Sequence, residues 1–181
     1  MTSGSKVLAF YMMLFGSAPG VPIDFIDRLK KRVRLRQVFS EEECDIIIAF
    51  VPIVSRAGTD IEAALQKIQT SQPVVLVILH HTFDETYIPP DSRWIVRREG
   101  VFPVDVLFYE DVGLLRSLHN DIALKSTTDY LISMGATPEV LPDSLNRCRQ
   151  NPCWLCALLI SVGFLTLLGL IVIFLDCLSK L

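Results

Sequence analysis

Runs of unbroken apolar residues separated by short polar breaks are the first pattern in the chain. Val7 to Leu14, "VLAFYMML", is of strand length and closes on the turn-rich "GSAPGVP". "DIIIAFVPIV" and "PVVLVILHH" repeat the pattern, and Val104 to Asp111, "VDVLFYED", gives a fourth such run. Strands that are apolar at every position belong in a sheet covered on both faces. "VRLRQV", Val33 to Val38, instead alternates apolar and basic residues, as a half-exposed edge strand does.

Helical spacing fills the gaps. Asp24 to Arg32 places Phe25, Ile26 and Leu29 on one face, with Asp24 near the helix start where a negative charge suits the dipole. "GTDIEAALQKI" follows the second buried strand. "GLLRSLHNDIALKSTTDYLISMG" predicts a long closing helix with Leu114, Leu115, Leu118, Ile122 and Leu131 on its apolar face. Strand, helix, strand in this order implies parallel neighbours joined by crossovers. The expected fold is an open, mostly parallel α/β sheet of about five strands in flavodoxin-like (Rossmann-like) order. "FDETYIPPDSRWIVRREG", Phe83 to Gly100, is a charged, Pro-containing insertion of the kind that forms a lid or a partner-binding loop.

One more run is too long for this scheme. Cys153 to Leu175, "CWLCALLISVGFLTLLGLIVIFL", carries no charge, and as a helix it would rise roughly 34 Å, enough for a hydrocarbon core of about 30 Å. It predicts a transmembrane helix. The domain plan is therefore an α/β domain over 1–134, a linker over 135–152, the span over 153–175 and a short tail over 176–181. With the span near the C-terminus, and Arg147 and Arg149 before it, the expectation is a tail-anchored protein whose N-terminal domain faces the cytosol. Its lipid partner is the bilayer itself. The ending Ser179-Lys180-Leu181 spells a peroxisomal address, which a receptor reads only on a free C-terminus. That address conflicts with the span, so the organelle stays open.

Composition changes this picture little. The chain is 51% hydrophobic with a net charge of −3, a balance that disfavours nucleic acid as a partner. Arg28 to Arg36, "RLKKRVRLR", is the densest basic cluster, read first as a solvated helix face and protected edge strand, with acidic lipid head groups or nucleic acid as the alternative contacts. Five cysteines, an odd number, make no disulfide framework. Cys148, Cys153 and Cys156 flank the span as candidates for S-palmitoylation, with plain packing as the alternative. His80 and His81 end a strand, so their rings point to opposite faces and form no metal pair. We expect no metal and no cofactor.

In open α/β sheets ligands bind beyond the carboxyl ends of the strands. The loops there offer Ser17, Ser55, Arg56, Thr59 and His81 as binding residues, with Asp60, Glu62 and Asp84 as carboxylates able to act chemically. "CDIIIAFVPIVSRAGTDIEAALQKIQTSQPVVLVIL" resembles the central segment of nucleoside 2-deoxyribosyltransferase-like proteins, which belong to a wider flavodoxin-like group with TIR-like domains. That resemblance implies Glu62 as the nucleophile on a sugar; an enzyme built on it would use Asp60 or Asp84 as acid/base and a nucleoside or nucleotide as ligand. The chain departs from the family in having Arg56-Ala57 before Gly58-Thr59, and "FGSAPG" after the first strand. Without any substrate, Thr59-Asp60-Ile61-Glu62 also fits a helix capping box. The two functional expectations are a non-enzymatic binding or signalling module with a protein partner, and a nucleoside-directed glycosidase or transferase.

Overall fold

The computed structural model describes residues 6–139. The apolar run over 153–175 and Cys148, Cys153 and Cys156 lie outside the described residues, and no helix among the described residues is long and apolar enough to cross a membrane.

Six strands form one sheet: β1 (Leu8–Leu14), β2 (Leu35–Val38), β3 (Ile46–Pro52), β4 (Val74–His81), β5 (Val101–Tyr109) and β6 (Gly113–Leu114). Their spatial order is β2-β1-β3-β4-β5-β6, parallel throughout except for the antiparallel β5–β6 pair. This order is compatible with a flavodoxin-like fold, with the alternating basic strand β2 at the edge as its pattern predicts. The two-residue β6 is the addition to the expected five.

Burial explains why the central strands are so apolar. Ile46 to Val51 in β3 are 0–2% exposed, because both faces of the strand are covered. One face packs Phe10, Ile48, Phe50 and Val77 against Phe25 and Leu29 of α1 (Val21–Lys30) and Leu124 and Leu131 of α3 (Leu118–Ser133). The other face packs Ile47, Ala49 and Ile78 under Ile61, Ala64 and Ile68, the first two from α2 (Ala57–Lys67). The connections from β2 to β3 and from β4 to β5 contain only short 3-10 turns, at Glu41–Glu43 and Ser92–Trp94. Cys44 and Val96 from these connections are buried on the α2 face and cover sheet that a crossover helix would otherwise protect.

Two helix boundaries differ from expectation. α1 starts three residues early, at Val21, since Gly20 takes φ 77 before a Pro-containing first turn. The long closing helix starts late. Gly113–Leu114 pair with β5, and α3 begins after Ser117, whose hydroxyl accepts the Asn120 N–H. Leu118 and Ile122 are 76% and 56% exposed, and the buried face of α3 is Asn120, Ala123, Leu124, Thr127 and Leu131. Two polar residues can lie on that face because each has backbone partners. Thr127 donates to the Ala123 carbonyl, and Asn120 binds β5.

After α3 the chain stays packed through Glu139. Ala136 is buried, and Pro138 bridges Val33, so residues 135–139, read as the start of the linker, are built into the domain.

Candidate functional site at the carboxyl ends of the strands

The loop after β1 meets the end of β3 where the strand order reverses. There Ser17, Gly16, Pro19, Phe50, Pro52 and Leu79 line part of a cavity of about 240 Å3. Gly16 has φ 89, and a Cβ on it would stand 3.0 Å from Cγ of Pro52, so only glycine lets the two loops approach so closely. Most of this lining is apolar. Ser17 supplies its one side-chain hydroxyl, and none of Asp60, Glu62 or Asp84 contributes to the wall.

The carboxylates sit elsewhere, each in a different setting. Asp60 reaches back from the first turn of α2 to accept the N–H groups of Val54 (2.9 Å) and Ser55 (2.8 Å) and the Ser55 hydroxyl (2.8 Å). The Ser55 backbone N–H, then the Ser55 hydroxyl and the Val54 N–H, hold its pKa below the ordinary value. An ionised carboxylate pinned in this way closes the β3–α2 loop, and its environment opposes the protonated form that a general acid needs. Asp84 accepts both the hydroxyl (2.7 Å) and the N–H (2.8 Å) of Thr86. The hydroxyl first and the N–H second lower its pKa as well.

Glu62 is exposed on α2, and its side chain makes no hydrogen bond or ion pair among the described residues. The capping box anticipated for Thr59 and Glu62 does not form. α2 begins at Ala57 with Arg56 as its N-cap residue, which places Thr59 inside the helix rather than before it. Asp60 is the physical reason, because its grip on Val54 and Ser55 turns the chain into helix three residues sooner. Arg56 and Thr59 are exposed at this helix start.

The paired histidines point to opposite faces, as period two requires. His81 is half-exposed, stacks on Tyr109 at 5.3 Å, meets Phe108 edge-on, and stands 3.9 Å from Glu110. His80 is buried and its Nε2 lies 2.7 Å from Oδ1 of Asp105. Among the described residues no cluster of His, Cys, Asp or Glu could hold a metal ion.

Asp105 is the polar centre that the sequence did not announce. Besides His80 it accepts the N–H (2.9 Å) and hydroxyl (2.6 Å) of Ser92, a residue 0% exposed, while His119 reaches the Asp105 carbonyl at 2.8 Å. A single charged residue inside "VFPVDVLFY" is the signal that could have found it. Serine, histidine and aspartate meet here, but the serine donates to the carboxylate rather than to the imidazole. Its hydroxyl is therefore not paired with an imidazole base as in a serine–histidine arrangement, and the three side chains form a buried clasp. Beside it a second cavity, about 610 Å3, opens between β5 and α3, with Asp91, Arg93, Asp105, His119, Asp129 and Tyr130 in its wall.

The clasp fixes the insertion. Arg98 adds a second anchor by donating to the carbonyls of Leu65 (3.0 Å) and Ile68 (2.7 Å), the last turn of α2 and the residue after it. Trp94, between these anchors, is 78% exposed, and Phe83 and Ile88, in the part of the insertion before Ser92, are each 82% exposed.

Comparison with protein-family models, with curated proteins and with solved structures gives no match for this chain.

Proposed function

We propose that the protein is a single-span membrane protein that presents a flavodoxin-like α/β module to the cytosol, where the module binds a protein partner through residues 83–100. The observation that carries this reading is the insertion itself. Large apolar side chains stand in water on a segment whose later part is fixed by the buried Ser92–Asp105 clasp and by the exposed Arg98 on the α2 carbonyls, so a partner gains contact area there with little further ordering cost. Aromatic anchors of this kind dominate binding energy at protein interfaces. The uncharged run over 153–175 supports the anchor, and Arg147 and Arg149 support a cytosolic domain. Palmitoylation at Cys148, Cys153 and Cys156 would add to membrane hold. A photo-cross-linking residue at position 88 of the full chain in membranes tests the partner site. Discrete adducts that vanish on combining Phe83→Ser with Trp94→Ser support it, and the absence of adducts contradicts it.

A second reading rests on the cavity beside Ser17, which occupies the switch point of the sheet. In it the module is a nucleoside- or nucleotide-directed glycosidase or transferase, with Glu62 as nucleophile and Asp60 or Asp84 as acid/base. Both aspartates are set up as ionised loop staples, and Glu62 is outside the cavity wall. These facts favour the binding module. Release of free base from nucleosides by wild-type chain, lost in Glu62→Gln, would reverse the preference.

A further inference from the structure

The basic cluster over 28–36 is left without a role by the partner site, and its position in the fold gives it one. α1 ends at Lys30 and β2 starts at Leu35, so the cluster lies at the amino ends of the strands. The last described residues arrive at the same pole. Thr137 donates its N–H to the Lys6 carbonyl (3.1 Å) and accepts from the Arg34 N–H (2.9 Å), while the Glu139 N–H donates to the Arg32 carbonyl (2.8 Å). The chain therefore leaves the domain through the middle of its most basic surface.

Charge accounting at this pole favours cations. Lys6 faces Asp45 at 3.7 Å and Arg34 pairs with Glu139 at 3.1 Å. Lys30, Lys31, Arg32 and Arg36 have no ion-pair partner among the described residues, and Lys30, Lys31 and Arg36 are exposed. Asp27 is the exposed carboxylate on α1 beside them, and Glu99, before the amino end of β5, is exposed as well. The acidic Glu41–Glu43 turn follows the four-residue β2 and leads into the amino end of β3, so it lies on the β2 edge of the sheet, beyond Arg36 and away from the 28–34 turn that Thr137 and Glu139 meet.

We infer that this pole docks on anionic phospholipid head groups of the membrane that holds the chain, an inference that rests on the anchored reading above. Residues 140–152 separate Glu139 from the apolar run, and thirteen residues reach at most about 45 Å when fully extended. Within that reach the bilayer is at high effective concentration, so a weak contact becomes an intramolecular one. Attraction acts once the cations come within a Debye length of the surface, about 8 Å at physiological salt. Phe83 and Ile88, which follow the carboxyl end of β4, are then directed away from the lipid. The pole thus orients the partner site as well as adding affinity.

Amine footprinting of the full chain, reconstituted in vesicles of phosphatidylcholine alone or mixed with phosphatidylserine, tests the inference. A water-soluble acylating reagent reports each lysine by mass spectrometry, and vesicle flotation reports the anchor. The expected result is flotation with both vesicles and modification of Lys30 and Lys31 lower by on the order of fivefold with phosphatidylserine. Lys125, exposed on α3, should stay unchanged, and high salt should restore the reactivity. Equal modification in both vesicles, with the chain floating, overturns the docking and leaves the anchor standing. Protection by added RNA but not by phosphatidylserine overturns it in favour of a nucleic-acid surface. Failure to float with either vesicle overturns the anchor and the docking with it.

Discussion

The side-chain amide of Asn120 replaces a β-strand neighbour for Leu107: it accepts the Leu107 N–H at 2.7 Å and donates to the Leu107 carbonyl at 2.8 Å. The same amide also donates to the Leu115 carbonyl at 2.9 Å, so one buried side chain closes the outer edge of β5 where the two-residue β6 stops. Farther along that edge His119 takes the Asp105 carbonyl, and Pro103 has no N–H to offer. Asn120→Ala would leave the Leu107 N–H and the Leu115 carbonyl without the amide, while the Leu107 carbonyl keeps the Leu115 N–H at 3.1 Å, at a cost of about 2–4 kcal/mol. Urea denaturation of variant and wild type checks this, with a lower midpoint and little change in slope expected.

Asp105 holds the insertion, and its removal should be felt there before it is felt globally. Asp105→Ala strands His80 and Ser92 in the core and should cost about 2–4 kcal/mol. It should also expose the Arg93 and Arg97 bonds to trypsin under conditions where the wild-type domain resists. Arg98→Ala should raise cleavage in the same segment with a smaller loss of stability, because Arg98 anchors one end only.

Acid should weaken the β3–α2 loop in a direction fixed by Asp60. Its folded pKa lies below the ordinary 3.8, so the folded state binds this proton less readily than the unfolded chain does. The stabilisation is therefore complete above 3.8 and disappears as pH falls through the folded value. Asp60→Asn removes that dependence. The stability gap between wild type and variant should be largest near neutral pH and should close at pH below about 3.8. A gap that widens in acid would contradict the assigned bonds. Asp84, whose bonds to Thr86 lower its pKa likewise, should follow the same sign in Asp84→Asn.

Glu62 separates the two functional readings at little structural expense. It is exposed and without bonds among the described residues, so Glu62→Gln should change stability by no more than about 0.5 kcal/mol. Cross-links from position 88 should be unaffected by it. Loss of those cross-links in Glu62→Gln would tie the partner site to this carboxylate and count against the insertion as the contact surface.

How much of this was legible in the sequence depended on burial. β3 and β4 were plain because parallel strands covered on both faces admit apolar residues at nearly every position. The edge strand β2 was legible for the opposite reason, its alternating basic residues. The start of α3 departs from hydropathy spacing because Leu118 and Ile122 are apolar yet exposed, while Asn120 and Thr127 are polar yet buried. Hydropathy spacing cannot register a polar side chain whose partners are backbone atoms. The capping box failed on a similar point, since the residue that closes the α2 loop is Asp60 and not the Thr59 of the motif. Asp105 escaped notice because its partners, His80 and Ser92, come from a neighbouring strand and a loop, and no spacing rule joins them.

Membrane fractionation with alkaline carbonate extraction, comparing the full chain with a chain ending at residue 152, tests the central claim of an anchored binding module most directly. An anchored module requires that the full chain stay in the membrane pellet after extraction, with its N-terminal domain open to protease added from the cytosolic side, and that the shortened chain be released. A full chain that extracts as completely as the shortened one would contradict it.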